Sequence, residues 1–348
     1  MKFIKPTVAS QISDASDAND VLTSAEQGKL WATYMGNTMA ICVMSHMLEH
    51  VQDPDIKRVL QHALSTSGQF VQTIKDIMTK DHFPVPIGFT EDDVIKGAPR
   101  LFADDFYLHY LKYLGKAGLS MYSIAVPIVT RPDIREFFTQ CVSLTLDLMN
   151  MVNDGLIAKG LITKPPYTPY PKKIDFIKKQ SYLNGFFGEI RPLQAMEITH
   201  LYDNIENTAT SKAVLIAFSQ VAKSEQAKAY FVRGKEIAGK HHAQFNRFLE
   251  RENLASPPIV DHLVTASTVS PFSDKLMLFH KLDMFAMRIR SYGNAVSLSA
   301  RHDLAAKYGR FLLQVGDYVE DGANILIDHG WLEQPPEAAD REALIASE

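Results

Sequence analysis

Apolar residues recur at steps of three and four along most of this chain. Leu30, Tyr34, Asn37, Ile41, Met44 and Leu48 fall on one stripe, the spacing of an amphipathic helix. Thr23 precedes that stripe with Glu26 three residues on, a capping-box pattern that starts the helix. Asp53-Pro54 ends it and opens the next, because proline is tolerated in a first turn. The second helix carries Ile56, Leu60, Ala63, Phe70, Ile74 and Ile77 and stops at His82-Phe83-Pro84-Val85-Pro86. After a long connection, a third helix is predicted from Asp104 to Val129. Arg131-Pro132-Asp133 opens a fourth that runs to about Ala158. Four helices with one long central loop predict a four-helix bundle.

The pattern then repeats. Lys164-Pro165-Pro166-Tyr167-Thr168-Pro169-Tyr170-Pro171 cannot be helical, since proline lacks the N–H and clashes with the preceding turn. Beyond it, Glu197 stands where Glu26 stood, Leu201 where Leu30 did, and Gly239 where Gly68 did. Arg301-His302-Asp303 matches Arg131-Pro132-Asp133, and Gly330…Pro335-Pro336 matches Gly160…Pro165-Pro166. The step stays near 170 residues, a period that means domain duplication. The expected organisation is a flexible tail over 1–21 and a first bundle over 22–163. A proline-rich hinge and connector follows over 164–191, then a second bundle over 192–336 and a polar, frayed tail over 337–348.

The third helix of the second copy has two apolar stripes. Leu278, Leu282, Phe285, Ile289 and Val296 form one; Leu276, Met284, Met287 and Leu298 form part of another, mixed with His280, Asp283 and Asn294. A helix apolar on two sides is buried on two sides. One side faces its own bundle, and the other is expected to meet the sister bundle or a second chain, making a homodimer or another protein complex through this helix.

Composition narrows the field. A net charge of −4 without clustered Lys/Arg excludes a nucleic-acid binder. The N-terminus lacks a secretory pattern, and no apolar run of about 18 residues spans a membrane. Cys42 and Cys141 have neither metal nor disulfide spacing, which fits a reducing, cytoplasmic setting.

Several stretches carry a resemblance. Pro99-Arg100-Leu101-Phe102, Pro165-Pro166-Tyr167, Arg191-Pro192-Leu193, Glu197-Ile198-Thr199-His200, Phe218-Ser219-Gln220-Val221-Ala222-Lys223-Ser224, Gly234-Lys235-Glu236-Ile237-Ala238, Phe272-Ser273-Asp274-Lys275-Leu276-Met277 and Glu320-Asp321-Gly322-Ala323-Asn324 span the chain from about residue 22 to 336. In them the chain resembles domain-of-unknown-function family 3231 of spore-forming Gram-positive bacteria. The resemblance implies an all-α fold of two tandem ferritin-like bundles and a relation to spore-coat-type proteins. It implies no activity and supplies no catalytic residues.

Ferritin-like bundles raise the question of metal. A di-iron centre needs a Glu from each of two helices and a Glu-x-x-His from each of the others. In the first copy His46, Glu49 and His50 lie away from the Leu30–Leu48 stripe and read as a solvated face. Glu136, Asp147 and Asp154 have no histidine at the required step, so no di-metal centre is expected there. In the second copy Glu197 and His200 form one Glu-x-x-His, and His241 occupies an apolar stripe among Phe231, Gly234, Ala238, Phe245 and Phe248. A histidine on an apolar face is more often a hydrogen-bonded core residue than a ligand. Even so, Glu197, His200 and His241 make a candidate mononuclear site suited to Fe or Zn. His280 joins them only if its helix starts at the same end, and a ferritin-like crossover sends it to the far end. Lys212 lies on an apolar stripe, where it snorkels, pairs with a buried carboxylate, or is a reactive amine.

No Gly-rich phosphate loop, Gly-x-Ser-x-Gly elbow or Cys/His cluster is present. The expected function is therefore a non-enzymatic, spore-associated structural or interaction protein. The alternative is a ferritin-like metal-binding protein with one degenerate site in the second bundle.

Overall fold

The computed structural model describes residues 21–346; the expected N-terminal tail lies almost wholly outside the described residues. Eight long helices form two sets of four: α1 (Ser24–His50), α2 (Pro54–Lys80), α3 (Asp104–Ala125) and α4 (Pro132–Ala158), then α5 (Ala195–Val221), α6 (Glu225–Arg251), α7 (Asp274–Leu298) and α8 (His302–Asp328). A short α9 (Arg341–Ala346) lies in the segment expected to fray. α3 stops before Pro127, four residues short of the sequence prediction, because Ala125 is the last residue the helix holds ahead of the Val126–Ile128 turn.

The copies match element by element. α1 and α2 each have 27 residues, as do α5 and α6, and the starts differ by 171. The starts of α3 and α7, and of α4 and α8, differ by 170. Thr23 and Glu26 form the predicted capping box, and Gln194 and Glu197 form its counterpart. Asp104 accepts hydrogen bonds from Gln52 N and Asp53 N, both at 2.8 Å, and so ties the α1–α2 turn to α3. Asp274 does the same for Lys223 N and Ser224 N at 3.1 and 2.7 Å. Gly160 and Gly330 end α4 and α8 at φ 66°, a left-handed conformation glycine takes without a Cβ penalty. The following N–H groups, of Leu161 and Trp331, return to Leu156 O and Leu326 O at 2.8 Å, closing each helix end as a Schellman motif.

The two sets are not separate beads. The crossover loops between the second and third helices of each copy trade backbone bonds. Val94 bridges Phe272, and Phe102 bridges Val264. Ile95 N donates to Pro271 O at 2.8 Å, and Thr265 N to Leu101 O at 2.9 Å. Ser273 N donates to Asp93 O at 2.9 Å, and Ala103 N to Leu263 O at 2.8 Å. In each pair, a step of 170 residues turns one bond into the other. That reciprocity is the signature of an isologous, two-fold interface. α1 and α3 meet α7, and α3 also meets α5, so one apolar core runs through both copies. The second stripe of α7 is partly covered by the sister copy: Tyr113 donates to Met284 O at 2.5 Å, and next to the stripe Phe89 packs on Phe279 at 5.0 Å, whereas Leu298 at its end is exposed.

Candidate functional site

Two of the three sequence-predicted ligands of the second copy, Glu197 and His241, are engaged in structural bonds. Glu197 sits in the first turn of α5, fully buried, gripped by the Arg191 fork at 2.8 Å twice. Gln194 N and Arg301 N also donate to it, at 3.0 and 3.1 Å. Burial alone would raise its pKa; the bonds from Arg191, Gln194 and Arg301 reverse that and hold it below the usual carboxylate value. Its counterpart Glu26 accepts from Thr130 N and Arg131 N at 2.9 and 2.8 Å, in the turn that starts α4. Both glutamates therefore fasten the first helix of a copy to the fourth. His200 is half-buried, with a buried Nε2 that has no protein partner. His241 is enclosed: Nδ1 faces the Tyr292 hydroxyl and Nε2 faces Gln314 Oε1, each at 3.0 Å, and its ring stacks on Phe311 at 3.7 Å. Gln314 Oε1 can only accept, so Nε2 carries the proton and Nδ1 accepts from Tyr292. Burial pushes the His241 pKa down to about 3, so the ring is neutral. The structure does not gather Glu197, His200 and His241 into a group.

His280 lies between the copies. Its Nε2 is 2.8 Å from the Tyr110 hydroxyl, and it stacks on that ring at 5.6 Å. Lys212 pairs with Asp261 of the α6–α7 crossover, which is the paired reading of that lysine. An ionic cluster fills the other side of the seam. Lys112 meets Glu206 at 2.7 Å, and Lys116 meets Asp203 and Glu206 at 2.7 and 2.8 Å. Deeper in the second copy, Arg288 is buried over the Phe285 ring at 4.4 Å, and none of its three side-chain nitrogens has a protein hydrogen-bond partner.

The group that does converge is one the sequence reading set aside as a solvated face. Among the described residues, His46, Glu49 and His50 are the trio of potential metal ligands whose ligand atoms all lie within 4.8 Å of one another. His46 is buried at 3% exposure, a correction to the sequence expectation. The cause is the second copy: Phe272, on the crossover before α7, lies edge-on over the His46 ring at 5.4 Å. His50 is half-buried and Glu49 is exposed. Neither ring nitrogen of His46 has a protein partner. His50 Nε2 is 2.9 Å from Ala98 O. A carbonyl oxygen can only accept, so Nε2 bears the proton and the lone pair of neutral His50 is on Nδ1. Burial, with His50 second, pushes the His46 pKa down to about 4, so its imidazole is neutral and free to ligate. The sequence does carry a signal, His-x-x-Glu-His: residues three and four apart share a helix face. The di-iron pattern does not detect it.

Architecture and site together define a duplicated all-α protein of two four-helix units closed on each other about a pseudo-two-fold axis. The chain belongs to the family described as "Protein of unknown function (DUF3231)", whose profile matches it twice, over residues 10–174 and 181–344. A protein of known structure from Bacillus halodurans, described provisionally as a spore coat protein, is similar at 15% identity and a TM-score of 0.40. The alignment covers 43% of this chain and 98% of that one. No curated protein matches. Among the described residues, no helix is long and apolar enough to cross a membrane.

Proposed function

We propose that this chain is a non-enzymatic structural or interaction protein, ferritin-like in each half and associated with the spore. The connector carries the reading. Between α4 and α5, Tyr167, Tyr170, Ile174, Phe176 and Phe187 are each more than four-fifths exposed. Lys172, Lys173, Lys178 and Lys179 stand among them. Large apolar side chains gathered on one exposed segment mark an interaction surface. Of Glu197, His200 and His241, proposed from sequence as a metal site, Glu197 and His241 are held in structural bonds, which supports a scaffold reading.

The test is a fluorescent fusion followed through sporulation in a spore-forming host. The intact chain is expected to concentrate at the developing spore. A variant with Tyr170, Phe176 and Phe187 all changed to Ser is expected to stay diffuse. A wild-type signal that remains diffuse at every stage sinks the spore reading, and a triple variant that localises normally removes the connector from it.

A further inference from the structure

We propose that His46, Glu49 and His50 form a mononuclear site for a divalent transition metal, best suited to Zn²⁺, in the last turn of α1. This inference is independent of the interaction reading above.

Four observations converge on it. The ligand atoms of two imidazoles and one carboxylate already lie within 4.8 Å of one another. That donor set suits Zn²⁺, which takes nitrogen and oxygen ligands at about 2.0–2.2 Å and leaves further positions to solvent at a partly open site. The second observation is the hydrogen bond from His50 Nε2 to Ala98 O. Histidine ligands commonly donate their other N–H to a backbone carbonyl, which fixes the tautomer and aims the free lone pair at the metal. Here that lone pair is on Nδ1.

The third is His46, a buried side chain with both ring nitrogens lacking a protein partner. Burying a polar group without a hydrogen bond is unfavourable, so this ring asks for a reason. The fourth removes the structural reason. One step of 171 residues along, the sister copy places Ala217, Gln220 and Val221 at the same positions. Ala217 and Val221 are buried there, and Gln220 donates to Thr265 O and Ser267 O at 3.0 and 3.1 Å. The fold thus fills this corner well with alanine and valine; two histidines and a glutamate serve something else. The site also sits at a helix C-terminus, where the macrodipole favours a cation.

Phe272 covers His46 from the second copy. Lys96 lies within the field of Glu49, and its ammonium is held by Glu91 at 2.8 Å. Glu49 can therefore turn to a metal without stripping a partner from that lysine.

The test uses the full chain, purified without a histidine tag, stripped with chelator and titrated with Zn²⁺ against a chromophoric competitor. One equivalent is expected to bind. The variant His46→Ala/His50→Val copies the sister half, so it is expected to keep the wild-type helical content and to lose binding by at least about 100-fold, beyond the 10–100-fold typical of outer-shell changes. Glu49→Gln, on an exposed side chain, provides a second variant and is expected to weaken binding about 10-fold. Uptake of no Zn²⁺ by the wild type overturns the site. So does undiminished uptake by the double variant, which would put the metal elsewhere. If the double variant fails to fold, an unchanged affinity of Glu49→Gln overturns it instead.

Discussion

Tyr230 of α6 and Tyr318 of α8 lie ring on ring, centroids 4.2 Å apart and planes 8° from parallel. The Tyr318 hydroxyl donates to Tyr230 O at 2.9 Å, and the Tyr230 hydroxyl donates to Tyr318 O at 3.2 Å. Each hydroxyl needs a glycine opposite it. A Cβ at Gly234 would stand 2.2 Å from the Tyr318 hydroxyl oxygen, and one at Gly322 would stand 2.3 Å from that of Tyr230.

Gly234→Ala is therefore expected to destabilise the protein by about 1–3 kcal/mol through overpacking. Gly68→Ala is the control. It lies inside α2, and a Cβ added there would meet nothing within 4 Å, so it should stabilise by about 0.5–1 kcal/mol. Urea unfolding of both variants checks this; effects of the same sign would refute the close-approach argument.

Arg288 is a buried guanidinium without a protein hydrogen-bond partner. Even a buried ion pair is often replaced by apolar side chains of similar volume at no cost or with a gain of about 1–4 kcal/mol, because taking charge out of water is expensive. Arg288→Met should raise the unfolding midpoint at neutral pH. A lowered midpoint would mean that the guanidinium holds a partner worth more than its desolvation.

Glu26 gives the clearest pH dependence. Burial raises its pKa, but the N–H groups of Arg131, Thr23 and Thr130 and the Thr23 hydroxyl outweigh that and bring it to about 2. Its unfolded value is 4.5. Between these values the unfolded chain binds the extra proton, so stability falls as pH falls. The contribution is complete above pH 4.5 and is lost as pH drops through about 2. Glu26→Gln should lose about 1–3 kcal/mol at pH 7, because the amide meets N–H groups that need an acceptor. The gap between variant and wild type should narrow from pH 4.5 downward, and a gap that stays constant to pH 3 would contradict the assignment.

Cutting the connector tests what holds the copies together. A protease site inserted after Lys173, in exposed chain, should be cleaved without releasing either half. The seam includes four exchanged backbone bonds, the Lys112–Glu206 pair and a continuous apolar core. Co-elution of the fragments on gel filtration is the expected result. Two separate peaks would show that the connector, and not the seam, keeps the copies paired.

Much of the fold is legible in the sequence. The Thr23/Glu26 box, Pro54 and Pro132 in first turns, and Gly160 and Gly330 at helix ends each act locally, and local chemistry survives translation into structure. The double stripe of α7 reads correctly in part: Leu276, Met284 and Met287 are buried on the second side, but Leu298 at its end is exposed. The site is harder to see. Glu197 looks like half of a metal motif, yet Arg191, six residues before it, takes up its carboxylate. His46 looks solvated when only its own bundle is considered, since Phe272, which covers it, is far along the chain. The clue is in α1 itself, where Met35, Met39, Val43 and Met47 add apolar cover outside the Leu30–Leu48 stripe.

The exchanged bridges also bear on how the halves could diverge. In a symmetric pair of identical chains, every change at the contact is made twice. Joining the two copies end to end lifts that rule. Lys112 and Lys116 face Asp203 and Glu206 on one flank, while the mirror flank has Leu282 and Ala286 with Ala32 and Met35. A peptide link let these four positions carry paired charge on one flank and apolar side chains at their counterparts on the other, a divergence that two identical chains could not make.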